Sequence, residues 1–338
     1  MNLVRDSSNL KVLDRALPTN FTKIAPFQDK TSSQSLEETE KINSLSAPLL
    51  ESGEMRCVRT LKGHRKSVLA LCMLSKEILA SASQDTTIKL WDPNKGDLIG
   101  TLIGHDEPVV ALSSFKDGTL VSGSSKGNIK YWDPYKKNLL ISVNIAHPVS
   151  ILALACSEND TLVSAAEDKT IKIWTKKGEL RRKITYVSEP FFLSKLQDGL
   201  IAISYRNNAI KLLNHHAIVK HMDYARKFSH IVMLTNNVLA GVEPNGTIRV
   251  WEYLLGKTKT TINAHTSNHV TFSLINENTL VSMPKDTGED IKLWDFESGT
   301  LKQTLIGHTG IVRSVIMIQE GILASGADDN NINIWEKM

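Results

Sequence analysis

GHRKSVLALCMLSKEILASASQDTTIKLWD, residues 63–92, holds the pattern on which the reading of this chain rests. Its segments SVLALCM, EILASAS and TIKLW are five to seven residues long, alternate in polarity, and are broken by Ser, Lys and Asp turns. That is a strand signature with no helical period. The phrase returns at residues 307–336 as GHTGIVRSVIMIQEGILASGADDNNINIWE.

Tryptophans mark the copies between: Trp91, Trp132, Trp174, Trp251, Trp294 and Trp335 stand 41, 42, 77, 43 and 41 residues apart. Leu213 in AIKLLN fills the middle of the double interval. The histidines of Gly63-His64, Gly104-His105, Ala146-His147, Ala264-His265 and Gly307-His308 precede their tryptophans by 27, 27, 27, 29 and 27 residues. Seven repeats are therefore expected near 61–100, 101–142, 143–183, 184–220, 221–261, 262–304 and 305–338, each of four short strands.

A four-stranded sheet of this size cannot bury its faces alone, and an open row of such sheets would leave exposed faces at both ends. Closure into a ring removes them. CVRTLKGH before the first repeat matches GDLIGTLIGH and TLKQTLIGH, whereas repeat 7 stops after its Trp335 strand. Residues 56–61 are expected to supply the missing fourth strand of the last blade.

These residues resemble the WD-repeat (WD40) β-propeller family over about 55–338, through the period, the histidine offset and the WD or WE dipeptides together. The resemblance implies an all-β, seven-bladed propeller acting as a non-enzymatic scaffold for protein partners, as a monomeric ring or a subunit of a larger complex. It also implies a buried network in each full repeat: His64, Ser81, Asp85 and Trp91; His147, Ser164, Asp168 and Trp174; His308, Ser325, Asp329 and Trp335. A hydroxyl, an imidazole, a carboxylate and an indole can satisfy one another's hydrogen bonds. Each set superficially matches a hydrolase triad, but its repetition round the ring argues for structure, and no nucleophile elbow accompanies it.

Several repeats depart from this pattern. Lys126 stands at the turn carboxylate's position in repeat 2, and Asp286 is the candidate substitute in repeat 6. Repeats 4 and 5 have Tyr186 and Tyr224 at the histidine position, and Asn207 and Asn245 at the aspartate position. Their histidine-side loops are read as containing Pro190, Phe191, Phe192, Arg206, Arg226 and Phe228, with Tyr205 nearby, a composition typical of binding anchors. Arg65, Lys66, Asp106, Glu107, Lys126 and His269 are expected on the same face, where the family most often holds peptides.

The opposite face carries Lys95, Lys136, Lys137, Lys176 and Lys177, with Arg181, Arg182 and Lys183 close in sequence. This basic surface supports an alternative reading as an RNA-associated factor. A second alternative is a substrate-recruiting subunit of a ubiquitin-ligase-type complex without its own F-box. His265 and His269 have HxxxH spacing but no Cys or acidic partner, so no metal or cofactor is expected, and SGSSKGN (122–128) lacks the ending of a phosphate loop.

Composition sets the wider limits. The 338 residues are 41% hydrophobic and 22% charged, which excludes disorder throughout, and the net charge of +4 is too mild to argue for nucleic acid by itself. Cys57, Cys72 and Cys156 form neither a disulfide framework nor a zinc spacing. No apolar run approaches the roughly 18 residues of a spanning helix, and no secretory signal opens the chain. A cytoplasmic protein is expected, with nuclear or host-delivered placement compatible. Residues 1–54 have 6 basic and 8 acidic side chains and a Ser/Glu-rich stretch, and are expected to form a largely disordered arm.

Overall fold

The computed structural model describes residues 53–338 apart from 158, 187, 189, 196–200, 206–208, 214–217, 224–229, 236, 237, 244, 253–256, 266–269, 277 and 285–289. The arm expected at 1–54 lies outside these residues up to position 52. Among the described residues the chain is all strand and turn, and no helix is long and apolar enough to cross a membrane.

Twenty-eight strands form seven antiparallel four-stranded sheets. Blade 1 comprises Val68–Ser75, Ile78–Ser83, Ile88–Trp91 and Leu98–Leu102, in that order across the sheet. Blades 2 to 6 repeat the meander, beginning at Val109, Ile151, Pro190, His230 and Val270. Blade 7 is built differently: Val312–Gln319, Ile322–Ala327 and Asn331–Lys337 are completed by Met55–Lys62 from the other end of the chain. That strand runs antiparallel to the last one, from Met55 opposite Lys337 to Lys62 opposite Asn331. The first strands of successive blades pack against one another all the way round, including the first strand of blade 1 on that of blade 7, so the ring is closed.

Burial follows position within the blade. Second strands are almost wholly buried, as in Leu120–Ser124 and Thr161–Ala166, because neighbouring blades cover both faces. They therefore read as unbroken apolar and small residues. Outer strands are largely exposed and polar, as in Leu180–Thr185. The cores lie between blades: Trp91 packs with Leu61, Ile332 and Ile334 of blade 7, and Trp132 packs with Ala80, Ile88 and Leu90 of blade 1. Each of these indoles thus fills the interface with the preceding blade. At Gly123 the blades approach so closely that a Cβ would lie 2.8 Å from Ile151 Cγ2.

The closing strand is held at its exposed end as well. Met55 N–H donates to Gln303 Oε1 (2.7 Å), and Gln303 Nε2 donates back to the Met55 carbonyl, so blade 6 clasps the main chain of the strand that completes blade 7.

Candidate functional site

Four side chains from two turns and two strands meet beneath each complete histidine turn. In blade 1 the Trp91 indole donates to Ser81 Oγ (2.8 Å), and Ser81 Oγ lies 2.7 Å from His64 Nε2. His64 Nδ1 lies 2.9 Å from Asp85 Oδ2. Burial lowers the His64 pKa against the raising effect of Asp85, so the ring is neutral. The carboxylate therefore takes the Nδ1 proton, and the Ser81 hydroxyl donates to Nε2. Burial would raise the Asp85 pKa, but hydrogen bonds from the Thr87 hydroxyl, the Arg65 N–H and His64 bring it down to about 2.

Blades 3 and 7 repeat this set. His147 is 2.7 Å from Ser164 and 3.1 Å from Asp168, and Trp174 donates to Ser164 at 2.8 Å. His308 is 2.7 Å from Ser325 and 2.8 Å from Asp329, and Trp335 donates to Ser325 at 2.7 Å. All twelve residues expected in the network are thus brought together as read. The carboxylates also reach the main chain beyond the histidine: Asp85 accepts from Arg65 N–H at 2.9 Å and Asp329 from Thr309 N–H at 3.0 Å. The network therefore holds the turns that form this face.

A further member was missed from the sequence. Thr87 donates its hydroxyl to Asp85 Oδ1 (2.6 Å), and Thr170 does the same to Asp168 (2.7 Å). The signal was present as a threonine two residues after Asp85 and Asp168, the spacing of a side chain that closes a turn; blade 7 has Asn331 at this position.

Blade 2 keeps His105, Ser122 and Trp132 at 2.7 and 2.8 Å, but the position of the carboxylate belongs to Lys126. Lys126 is 74% exposed and turns to Glu107, 3.4 Å away. His105 is only 4% exposed, and its Nδ1 is buried without a hydrogen-bond partner. Burial, and after it the Lys130 ammonium, push its pKa down to about 4. Placing the proton on Nε2, with Ser122 Oγ donating to the Lys130 carbonyl, avoids an unpaired buried N–H. The tautomer in blade 2 is then the reverse of that in blade 1.

Two outcomes follow. Lys126→Asp should stabilise the ring by about 1 kcal/mol at pH 7, the gain of a charge-assisted bond less the repulsion from Glu107. Chemical denaturation of both proteins measures it, and an unchanged midpoint would refute the account. In the wild type, the unfolded chain protonates His105 near its ordinary 6.5 while the folded one waits until about 4. Stability should therefore fall as pH drops through that window, by about 3 kcal/mol from this residue. The new carboxylate raises the folded pKa and should flatten the slope.

The residues read as partner contacts divide three ways. Arg65 is exposed on the histidine turn of blade 1, and Lys126 is exposed on the turn between the second and third strands of blade 2. Phe191 and Phe192 are not in a loop: they belong to the first strand of blade 4, Pro190–Lys195, at a bulge between Pro190 and Phe192. Tyr205 ends the second strand, opposite Pro190. The alternation of the repeat runs through these aromatics, and pairing with the second strand places them in the sheet. Arg206, Arg226, Phe228 and His269 lie outside the described residues, as do Asp286, Tyr224 and Asn207. His265 is a network residue, 2.8 Å from Ser282, to which Trp294 donates at 2.8 Å.

On the opposite face the turn lysines are partly neutralised. Lys95 pairs with Asp92 (3.8 Å) and Lys136 with Asp133 (3.9 Å). Lys176 pairs with Asp117 (2.7 Å) and Asp160 (3.3 Å). Lys137 reaches back to the Ile99 carbonyl of blade 1 (2.6 Å).

Against known proteins, the family model described as WD domain, G-beta repeat matches residues 55–92, 96–133, 139–175 and 299–336. These cover the blades whose histidine, serine and tryptophan are bonded as above, apart from blade 6. No curated protein matches the chain. Among solved structures it is similar to the crystal structure of the WD40 beta propeller domain of Doa1, with a TM-score of 0.71 and 20% identity, over 84% of this chain and 97% of that one. Four segments that match the WD repeat, set in a closed ring of seven four-stranded blades, give this chain the fold of a WD40-type β-propeller.

Proposed function

We propose that this propeller is a non-enzymatic scaffold that holds protein partners on the face bearing the histidine turns, with Arg206, Arg226 and Phe228 as anchors and Arg65, Lys126 and His269 beside them. WD40 propellers generally serve as protein-interaction scaffolds. One observation carries the non-enzymatic reading. Ser81, Ser122, Ser164, Ser282 and Ser325, the hydroxyls that could have been nucleophiles, are all fully buried and each bonded to an indole. Their chemistry is spent on stiffening the turns. The histidine turns of blades 1, 3 and 7 are held this way, so partner contacts made on them need little ordering on binding.

Affinity purification with quantitative mass spectrometry tests this, with nuclease present and absent. A protein partner lost selectively from an Arg206→Ala/Phe228→Ala variant is the expected result. Recovery that survives that variant, and is instead sensitive to nuclease and to Lys136, Lys137, Lys176 and Lys177 changed to Glu, would overturn it in favour of RNA.

A further inference from the structure

The outermost strand of every blade turns one edge of unpaired main chain towards the rim, and of the six such strands whose side chains are described, five are guarded. Met55–Lys62 carries Arg56, Arg59 and Lys62 and is clasped by Gln303. Leu98–Leu102 has Lys137 Nζ on its Ile99 carbonyl. Lys257–Asn263 binds Glu297 through Lys259 Nζ and the Thr260 hydroxyl, each at 2.7 Å. Leu180–Thr185 holds Arg181 to Lys183, and Leu301–Leu305 holds Lys302. Charges and clasps of this kind are how proteins protect sheet edges from further pairing.

Asn138–Val143 of blade 2 is the exception. Its sequence NLLISV contains no charge, proline or glycine, and among the described residues no hydrogen bond from another blade reaches its outer main chain. Leu139 is 41% and Leu140 50% exposed, although Ile141 and Val143 pack against the core shared with blade 3. Tyr135 precedes the strand, Ile145 follows it and Leu180 lies on the next rim strand. These are five of the eleven large apolar side chains exposed among the described residues. Close to them in sequence are the exposed cations Lys177, Arg181 and Lys183, against Glu179; Lys136 is paired with Asp133, and Lys137 is turned to the Ile99 carbonyl of blade 1.

We infer that this edge is a second docking surface, distinct from the histidine face, which adds an extended segment of a partner protein as a fifth strand of blade 2. The segment alternates apolar residues, for contact with Leu139, Leu140 and Tyr135, and is flanked by carboxylates that complement the basic rim. A second copy of this chain would set one basic rim against another.

The test is fluorescence anisotropy of the full chain with a labelled peptide that alternates valine and threonine between paired glutamates. Saturable binding is expected, lost when the central valine of the peptide becomes proline. Leu140→Lys should weaken binding at least tenfold without lowering the unfolding temperature, because the side chain is half-exposed. Arg181→Glu with Lys183→Glu should weaken it as much and remove its salt dependence, which keeps the test decisive if Leu140→Lys fails to fold. Arg206→Ala/Phe228→Ala should leave it unchanged, whatever becomes of the histidine-face reading. Absence of saturable binding, wild-type affinity in either folded rim variant, or loss only in the Arg206/Phe228 variant would overturn the inference. So would a wild-type dimer in sedimentation that Leu140→Lys converts to monomer.

Discussion

Replacing Ser81 with alanine should cost the ring about 3 kcal/mol, since it orphans two buried groups at roughly 1–3 kcal/mol each. Ser81 is fully buried, and its single oxygen takes the Trp91 indole proton while donating to His64 Nε2. Alanine adds no void worth the name. It leaves an indole N–H and an imidazole nitrogen in a place that water does not reach, and both had exchanged their bonds to water for this hydroxyl. The loss should appear as a fall in unfolding temperature of roughly 5 °C for a ring of this size.

A double-mutant cycle isolates the network. Once Trp91→Phe has removed the indole donor, Ser81→Ala should cost clearly less than it does in the wild type, with a coupling of about 1 kcal/mol or more. Additive effects would mean that the hydroxyl acts by packing alone. Ser164→Ala and Ser325→Ala should behave like Ser81→Ala, because blades 3 and 7 have the same bonds.

The second large effect is expected at Gly127, in the turn before the third strand of blade 2. Its φ is +82°, and an added Cβ would lie 1.9 Å from the His147 carbonyl oxygen and 2.6 Å from that of Val149. Both obstacles are main chain of the connection into blade 3, and the Gly127 carbonyl accepts from His147 N–H at 3.0 Å. A Cβ cannot be accommodated by turning a side chain aside; one blade must shift against the next. Strain at positive φ and overpacking together put Gly127→Ala at about 3 kcal/mol or more.

Gly321→Ala supplies the comparison. Its φ of +77° is nearly the same, but its Cβ would meet only the Lys337 Cβ at 3.4 Å. It should cost about 1 kcal/mol, the backbone part alone. If urea unfolding gives the two variants equal losses, the close approach at Gly127 is not what makes glycine necessary there.

Much of the architecture was readable before folding because the repeat is written in residue types that have few substitutes. A 27-residue offset between histidine and tryptophan, with a serine and an aspartate between, closes its hydrogen bonds when three strands fold back in one register. Hence the network of blades 1, 3 and 7 could be named residue by residue. The strand from the N-terminal side that completes blade 7 was equally legible, since repeat 7 lacks a fourth strand and CVRTLKGH has no blade of its own.

Reading failed where local sequence does not set the outcome. Phe191 and Phe192 read as loop anchors because blade 4 lacks the histidine that marks the start of a first strand, and only pairing with Ile201–Tyr205 places them in the sheet. The turn lysines read as an open basic surface, yet Lys176 finds Asp117 on the preceding blade, 59 residues away in the chain. Lys126 could be recognised as a departure from the repeat. That it leaves His105 Nδ1 buried and unpartnered, and turns instead to Glu107, depended on the packing round it.

The sequence by itself determined the strand count, the closing strand and the members of the repeating network, because each is a matter of period and of hydrogen-bonding types that must be satisfied within one repeat. Only the tertiary structure decided which interface each tryptophan fills, which cations are neutralised by a neighbouring blade, and which rim edge is left unguarded. Those depend on residues one or more repeats apart, which are brought into contact only when the ring closes.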